Sequence, residues 1–167
     1  MEEKYILSVL VENHAGVLSR VVGLFTRRGY NINSLSVGTT QDETISRITI
    51  MVNGDEQIIE QISKQVSKMM EVLKVKVLRE SELVRRELAL IKVRSTPKTR
   101  GEIMEITSIF RSNIVDISQN TLTIEMSGNV KKINALLTMV EPYGIEEISR
   151  TGITALERGT NTLKLDK

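Results

Sequence analysis

Hydrophobic and polar positions change their spacing several times along the first half of the chain, and each change predicts a new element. Residues 5–11, YILSVLV, alternate with a period of two, which predicts a strand. The inward face of that strand is formed by Tyr5, Leu7, Val9 and Val11. The pattern then shifts to helical spacing between Val17 and Arg28, and Gly29 follows as a left-handed stop.

Three further strands and a second helix follow in the first half. INSLSVGT and TISRITIMV predict strands separated by the turn QDE, and VLKVKVL alternates as the last strand. Asp55 is positioned to cap the second helix. The apolar stripe of that helix is formed by Ile58, Ile59, Ile62, Val66, Met69 and Met70. The order βαββαβ, with two crossover helices on one face of an antiparallel sheet, is the ferredoxin-like arrangement.

The same order recurs after a charged stretch, RESELVRRE, at residues 79–87. LALIKVRS predicts a strand, and Thr99 with Glu102 fits a capping box at the start of a helix. NIVDIS and TLTIEMS follow as paired strands, Asn129 caps a second helix, and IEEISRTGITAL closes the unit. The chain is therefore predicted to be an α+β protein of two tandem ferredoxin-like units, residues 1–79 and 80–167. Each unit is small enough to need a neighbour over its open sheet face.

The composition excludes several classes of function. Among 167 residues, 40% are hydrophobic and 26% are charged, which is typical of a globular protein, and the net charge of +2 indicates no polyanionic partner. The absence of cysteine excludes thiolate chemistry, and one histidine, His14, excludes a histidine-cluster metal site. Few aromatic residues are available to stack on nucleobases. With neither an apolar span nor a signal-peptide pattern, we expect a cytoplasmic protein that binds no nucleic acid or membrane.

The turn between the first strand and the first helix carries candidate chemistry. The free N–H groups of the helix's first turn attract an anion, Gly16 allows close approach to the backbone, and Asn13 offers an amide donor and an acceptor. Asn31 and Asn33, expected beside the first strand, offer oxygens to an ammonium group. An apolar wall is supplied by Leu18, Ile32 and Val37. The set fits a free aliphatic amino acid, although spacing alone favours an ordinary helix start.

The stretch ILSVLVENHAGVLSRVVGLFTRRGYNINSLSV, from residue 6 to residue 37, resembles the ACT domain of the small regulatory subunits of acetolactate synthase (acetohydroxyacid synthase). TISRITI and GDEQIIEQISKQ continue the resemblance, and FRSNIVDIS and SRTGI extend it through the second unit. In that family the feedback inhibitor, usually valine, lies between two ACT domains. The matching ligand positions are Asn13, Ala15, Gly16, Val17, Leu18, Asn31 and Ile32, with His14, Asn33 and Val37 in marginal places.

The resemblance implies a subunit that performs no catalysis itself. It would activate a large catalytic subunit and transmit feedback inhibition by valine or another branched-chain amino acid in branched-chain amino-acid biosynthesis. This chain would hold no cofactor, whereas thiamine diphosphate, Mg and FAD are expected on the catalytic partner. We expect a homodimer with INSLSVGT near its two-fold axis, an inhibitor site in the first unit, and docking to the catalytic subunit by the second.

Three alternatives share this topology. An acylphosphatase-like enzyme needs an arginine in the first loop, which reads ENHAG here. A tandem RNA-recognition module needs aromatic residues on its central strands, and TISRITI has none. A stand-alone amino-acid sensor with a different client protein is the strongest alternative.

Overall fold

The computed structural model describes residues 3–165, which form two compact units. The elements of the first unit are β1 (Glu3–Glu12), α1 (Val17–Arg27), β2 (Ile32–Thr39), β3 (Ile45–Gly54), α2 (Glu56–Ser67) and β4 (Val72–Leu78). Its antiparallel sheet has the order β2-β3-β1-β4. The predicted βαββαβ unit is therefore confirmed.

The first unit buries most of the predicted apolar stripes between its helices and one face of the sheet, but Met70 is not part of them, because it lies beyond the end of α2 and is 91% exposed. Phe25 of α1 and Ile62 of α2 are fully buried with Leu7 and Val9 of β1, in one cluster. Two predictions from local sequence, the Asp55 helix cap and the left-handed Gly29, are also confirmed. Asp55 accepts the backbone N–H of Ile58 at 2.8 Å, and Gly29 has a φ of 71°.

The opposite face of this sheet is covered by a C-terminal segment of the same unit, residues 153–163. Ile153, Ala155 and Leu163 of this segment are buried. Ile6 and Leu10 of β1, which are not part of the core between the sheet and the helices, are buried as well. The segment is anchored by side chains of the sheet, which bond to Ile153, Ala155, Glu157 and Lys164. The neighbour that the sequence requires for this face is therefore supplied by the chain itself.

The second unit repeats the arrangement with its own core. Its elements are β5 (Leu83–Arg94), α3 (Arg100–Ile109), β6 (Asn113–Ile117), β7 (Thr121–Gly128), α4 (Val130–Val140) and β8 (Ile145–Arg150), and the strand order is β6-β7-β5-β8. Ile91, Ile103, Ile124 and Leu136 are fully buried in this core. Asn129 caps α4 as predicted, accepting the Lys132 N–H at 2.8 Å.

Two local predictions in the second half differ from the structure. Thr99 precedes α3 but forms no capping box, because its hydroxyl accepts the Thr96 N–H at 3.0 Å and Glu102 instead accepts the Tyr143 hydroxyl at 2.8 Å. Strand β5 begins at Leu83 rather than Leu88, because Leu83 is buried on the inward side of the strand.

The compact units also differ from the predicted division at residues 79 and 80. The first unit continues to Val84 and resumes at Ile153, so the second ends at Gly152. The final strand, β9 (Thr154–Glu157), was predicted as part of the close of the second unit. It groups with the first unit, where Ala155 is buried and Arg158 donates its N–H to the Glu82 carbonyl at 2.7 Å.

Candidate functional site

The turn at residues 12–16 is fixed by three bonds to other parts of the first unit. Glu12 donates its N–H to the Glu71 carbonyl at 2.9 Å, and Asn13 donates its N–H to the Thr44 carbonyl at 2.8 Å. The Asn13 side-chain amide also donates, to the Glu43 carbonyl at 2.7 Å. Asn13 therefore ties the turn to the β2–β3 loop, in addition to any role it has toward a ligand.

Glycine is favoured at position 16 by the backbone conformation there, and not because a side chain would lack space. Gly16 precedes α1 with φ 87° and ψ −13°, a left-handed conformation that a Cβ disfavours. A Cβ at this position would meet its first neighbour, Arg20 Nη1, at 3.9 Å, which is an ordinary contact. No side chain caps the helix here, and no acidic residue lies in its first turn. The positive end of the helix dipole is thus left without a carboxylate of this helix.

Charged side chains around the turn are paired. Arg20 Nη2 lies 2.6 Å from Glu71 Oε1, and His14 Nε2 lies 2.9 Å from Glu12 Oε2. The hydrogen bond to Glu12 raises the pKa of His14, with help from the Ala15 carbonyl, while desolvation and the Arg20 charge oppose the rise. The raised pKa favours the protonated imidazolium, and the pair that His14 forms with Glu12 is about half exposed.

Apolar side chains lie beside the turn, but not all the predicted ones are accessible. Val17 is 2% exposed and packs in the core, so only its backbone is open to a ligand. Leu18 is 40% exposed and Val37 is 45% exposed. An open cavity of about 430 Å³ is lined by Glu12, Asn13, His14, Thr44, Ile45 and Leu73.

Within one chain, the turn at residues 12–16 lies far from Asn31, Ile32 and Asn33. The expectation that they lie next to the first strand is wrong, because β3 separates β2 from β1. Ile32 is opposite Val52, which is opposite Tyr5 near the start of β1, whereas the turn follows the other end of β1. At about 3.3 Å per residue, the length of β1 from Tyr5 to Glu12 separates them by roughly 23 Å.

Strand β2 offers an unprotected edge. It lies at the end of the sheet order and carries neither a charged residue nor proline over Ile32–Thr39, whereas the other edge strand, β4, carries Lys74 and Lys76. Charges and proline are the usual protection of an edge strand against pairing. The β2 edge is consequently the better suited of the two for pairing with another chain.

Several residues that shape the turn were missed from the sequence. Glu43 and Thr44 bond to Asn13 from thirty and thirty-one positions away, and no local pattern signals such contacts. Arg20 had a signal, because it lies four residues after Gly16 and hence on the same side of the helix. Glu71, which pairs with Arg20, follows α2 in the chain, and no local pattern signals that contact.

Within the described residues, the chain has neither a metal-binding cluster nor a membrane-spanning helix. Within residues 3–165, no group of three or more His, Asp or Glu side chains is placed to hold a metal ion. No helix in the same range is long and apolar enough to cross a membrane.

Comparison with known proteins places both units in one family. Residues 7–74 match the family model of the acetohydroxyacid synthase small subunit-like ACT domain, and residues 86–159 match that of the small subunit of acetolactate synthase. The chain is 50% identical to a probable acetolactate synthase small subunit of Archaeoglobus fulgidus, over 93% of this chain and 98% of that protein. It is 48% identical to the acetolactate synthase small subunit of Bacillus subtilis, over 94% and 92% of the two chains.

A solved structure agrees with these sequence comparisons. The crystal structure of the acetolactate synthase small subunit from Thermotoga maritima superposes with a TM-score of 0.89 at 41% identity. The match covers 95% of this chain and 99% of that one. The sequence resemblance and the tandem ferredoxin-like fold are both confirmed, and the chain belongs to the family of acetolactate synthase small subunits.

Proposed function

We propose that this chain is the non-catalytic regulatory subunit of an acetolactate synthase, and that it binds valine or another branched-chain amino acid at a site assembled from two copies of its first unit. The turn of one protomer would hold the ligand carboxylate, and Asn31 and Ile32 of the other would complete the site. The observation that supports this most directly is the separation of the two groups of residues at opposite ends of one sheet.

Pairing of two β2 edges would bring the separated halves together. Both β1 and β2 run antiparallel to β3, so the end of β2 near Val37 lies at the same end of the sheet as the turn. If two β2 strands pair antiparallel, the start of one strand lies beside the end of the other. Asn31 and Ile32 of one protomer then approach the turn of its partner, and the exposed Leu18 and Val37 provide an apolar wall.

The same residues suit the two ends of an amino acid. The uncapped start of α1 and the nearby Arg20 guanidinium, whose charge is partly offset by Glu71, favour a carboxylate, while the side-chain oxygen of the partner's Asn31 accepts a hydrogen bond from an ammonium. Glutamate would have to desolvate a second carboxylate against the apolar wall, which is unfavourable. Selectivity among valine, leucine and isoleucine depends on about one methylene, worth roughly 1–3 kcal/mol.

We place the chemistry on a large catalytic subunit, with its thiamine diphosphate, Mg and FAD, and the regulation on this chain. The names of the relatives, as small subunits of acetolactate synthase, support this division. The second unit, whose first turn STPKTRGE lacks the asparagine pattern of the first, is proposed to dock and activate the catalytic subunit.

Two titrations test the proposal. Branched-chain amino acids are added to the isolated chain while its melting temperature is recorded, and then to its mixture with the catalytic subunit while turnover is recorded. We expect valine to stabilise the dimer by about 2.7 kcal/mol at a hundredfold excess over Kd, and glutamate to have no effect. Turnover by the isolated chain would contradict the non-catalytic role. Valine binding without any effect on the catalytic subunit would favour the stand-alone sensor.

A further inference from the structure

We propose that Ser34 and Ser36 of β2, which both bond to the backbone of Ile153, couple ligand binding at the amino-acid site to the position of Ile153, where the chain leaves its second unit. These two serines and their bonds to Ile153 are called the clasp. This inference rests on the proposed function. It assigns the two serines a coupling role, as positioning residues that touch neither ligand nor catalytic subunit.

The clasp holds both backbone groups of one residue. Ile153 donates its N–H to Ser34 Oγ at 2.7 Å, and its carbonyl accepts the Ser36 hydroxyl at 2.7 Å. The Ile153 side chain is 3% exposed. Because the N–H, the carbonyl and the side chain of Ile153 all make contacts, Ile153 cannot shift along β2 without losing two hydrogen bonds and part of its burial together.

The clasp directly follows the ligand half of β2. Ile32 is opposite Val52 and Ser34 is opposite Met51, so Asn33 is an extra residue in a β-bulge. A bulge is where a strand changes its register and bends. A ligand that binds Asn31 and Ile32 therefore acts on the bulge, and the next residue along the strand is the first serine of the clasp.

Ile153 also lies at the boundary between the compact units. It follows Gly152, the last residue of the second unit, which has a φ of 79°. Movement of Ile153 is thus passed through the covalent chain to the end of that unit. This gives the inhibitor site a physical route to the part of the chain proposed to dock the catalytic subunit.

The sheet face beneath the segment that follows Ile153 contains buried polar atoms whose hydrogen bonding is incomplete. Arg47 Nη2 reaches the Ala155 carbonyl at 3.3 Å, but within residues 3–165 the buried Arg47 Nε and Ser8 Oγ have no hydrogen-bond partner. Buried polar atoms without partners disfavour the arrangement that buries them. This cost offsets part of the stabilisation that holds the segment on the sheet, and the clasp is the contact that relates any shift of the segment to β2.

The test separates binding from coupling in the full-length protein and its complex. The double variant Ser34→Ala, Ser36→Ala is compared with the wild type by calorimetric titration with valine, by valine inhibition of the reconstituted enzyme, and by hydrogen exchange of residues 153–157. We expect an unchanged Kd for valine and unchanged activation, while the valine concentration for half inhibition rises at least about fivefold. Valine should alter exchange of the segment in the wild type but not in the variant.

Ser8→Ala is the matched control. Ser8 is fully buried on the same sheet face, in register with Ser36 through Thr49, but it makes no bond to the segment. This control should keep wild-type inhibition, and uncoupling by it would overturn the clasp in favour of general loosening. The single variants Ser34→Ala and Ser36→Ala, which each remove one bond, serve if the double variant does not fold.

Other outcomes also decide the question. Normal inhibition in a folded clasp variant would overturn the proposal. Equal loss of valine binding and inhibition would make the serines part of the ligand site and would overturn it as well. If the wild type binds no branched-chain amino acid, the proposed function itself fails and the coupling role fails with it.

Discussion

Arg20 folds its guanidinium over Gly16, and a Cβ built on Gly16 would lie 3.9 Å from Arg20 Nη1. The same guanidinium is held by Glu71 at 2.6 Å. The guanidinium is thereby fixed above an uncapped helix start, where Glu71 offsets part of its charge and a ligand carboxylate would be favoured by both the guanidinium and the helix dipole. This relationship makes Gly16 a sensitive position for a test of ligand binding.

Gly16→Asp should strongly weaken the response to valine while leaving a folded protein. A new carboxylate about 4 Å from that of the ligand is repelled by roughly 4 kcal/mol at an effective dielectric near 20. Arg20 and solvent screen part of this, so we expect affinity to fall about ten- to a hundredfold in calorimetric titration.

Gly16→Ala controls for the backbone at that position. It imposes similar left-handed strain, costing about 1–2 kcal/mol of unfolding free energy, without adding charge. The alanine variant should be less stable in urea unfolding but lose much less affinity for valine. Intact valine inhibition in a folded Gly16→Asp protein would make the turn only a helix start.

Val37→Lys should convert the proposed dimer into a monomer without unfolding the unit. Val37 is 45% exposed on the edge strand β2, so the single chain tolerates the change, whereas a paired edge would bury two like charges near each other. Sedimentation at micromolar concentration measures the result. Met70→Lys, at a side chain 91% exposed outside the strands, should leave the dimer intact. A dimer that survives Val37→Lys would place the interface elsewhere.

His14 should titrate above the ordinary histidine value, and Glu12→Gln should lower its pKa. The hydrogen bond to Glu12 favours the charged imidazole, so the folded pKa exceeds the unfolded value of about 6.5. Any stabilisation from the pair is therefore full below pH 6.5 and is lost as pH rises through the folded pKa. Since His14 is the only histidine, its ring protons give an unambiguous NMR titration. Identical curves for the two proteins would exclude the pair in solution.

Arg150→Met should strongly destabilise the second unit. Arg150 donates two hydrogen bonds to Glu87, at 2.8 and 2.7 Å, and Glu87 is 5% exposed. Loss of one partner leaves a buried carboxylate unpaired, which costs about 3–5 kcal/mol in fully buried pairs and somewhat less here because Arg150 is partly exposed. Urea unfolding measures the change.

Lys92→Met is the matched control on the same sheet. Lys92 lies 3.7 Å from Glu147 in an exposed pair, so its loss should change the unfolding free energy by less than about 1 kcal/mol. Equal effects of the two substitutions would contradict a special role for the buried pair.

The elements were predictable because their signals are local. The alternation of β1 and the Asp55 cap each involve neighbours in sequence, and both are present in the structure. Glu87 was misread as part of a charged boundary, because its partner Arg150 lies sixty-three positions away. A buried charge with a distant partner looks the same in a sequence as an exposed one.

The site was only partly predictable for a similar reason. The left-handed Gly16 has a local cause, whereas the distance between Asn31 and the turn depends on strand order. Chain order suggested that β2 lies beside β1, but the β2–β3 pair places β3 between them. That strand order is why a site containing both groups requires a second protomer.

The central claim, an amino-acid site shared by two protomers, is tested most directly by mixing two defective chains. Gly16→Asp blocks the half that holds the carboxylate, and Asn31→Lys places a cation against the ligand's ammonium in the other half. At valine concentrations just sufficient to saturate the wild type, each variant alone should bind little valine. Co-refolded in equal amounts, they form mixed dimers in which one site has both halves intact, so about one quarter of the wild-type valine capacity should return by random pairing. No recovery of binding in confirmed mixed dimers would contradict the shared site, because a site contained in one chain stays defective in every combination.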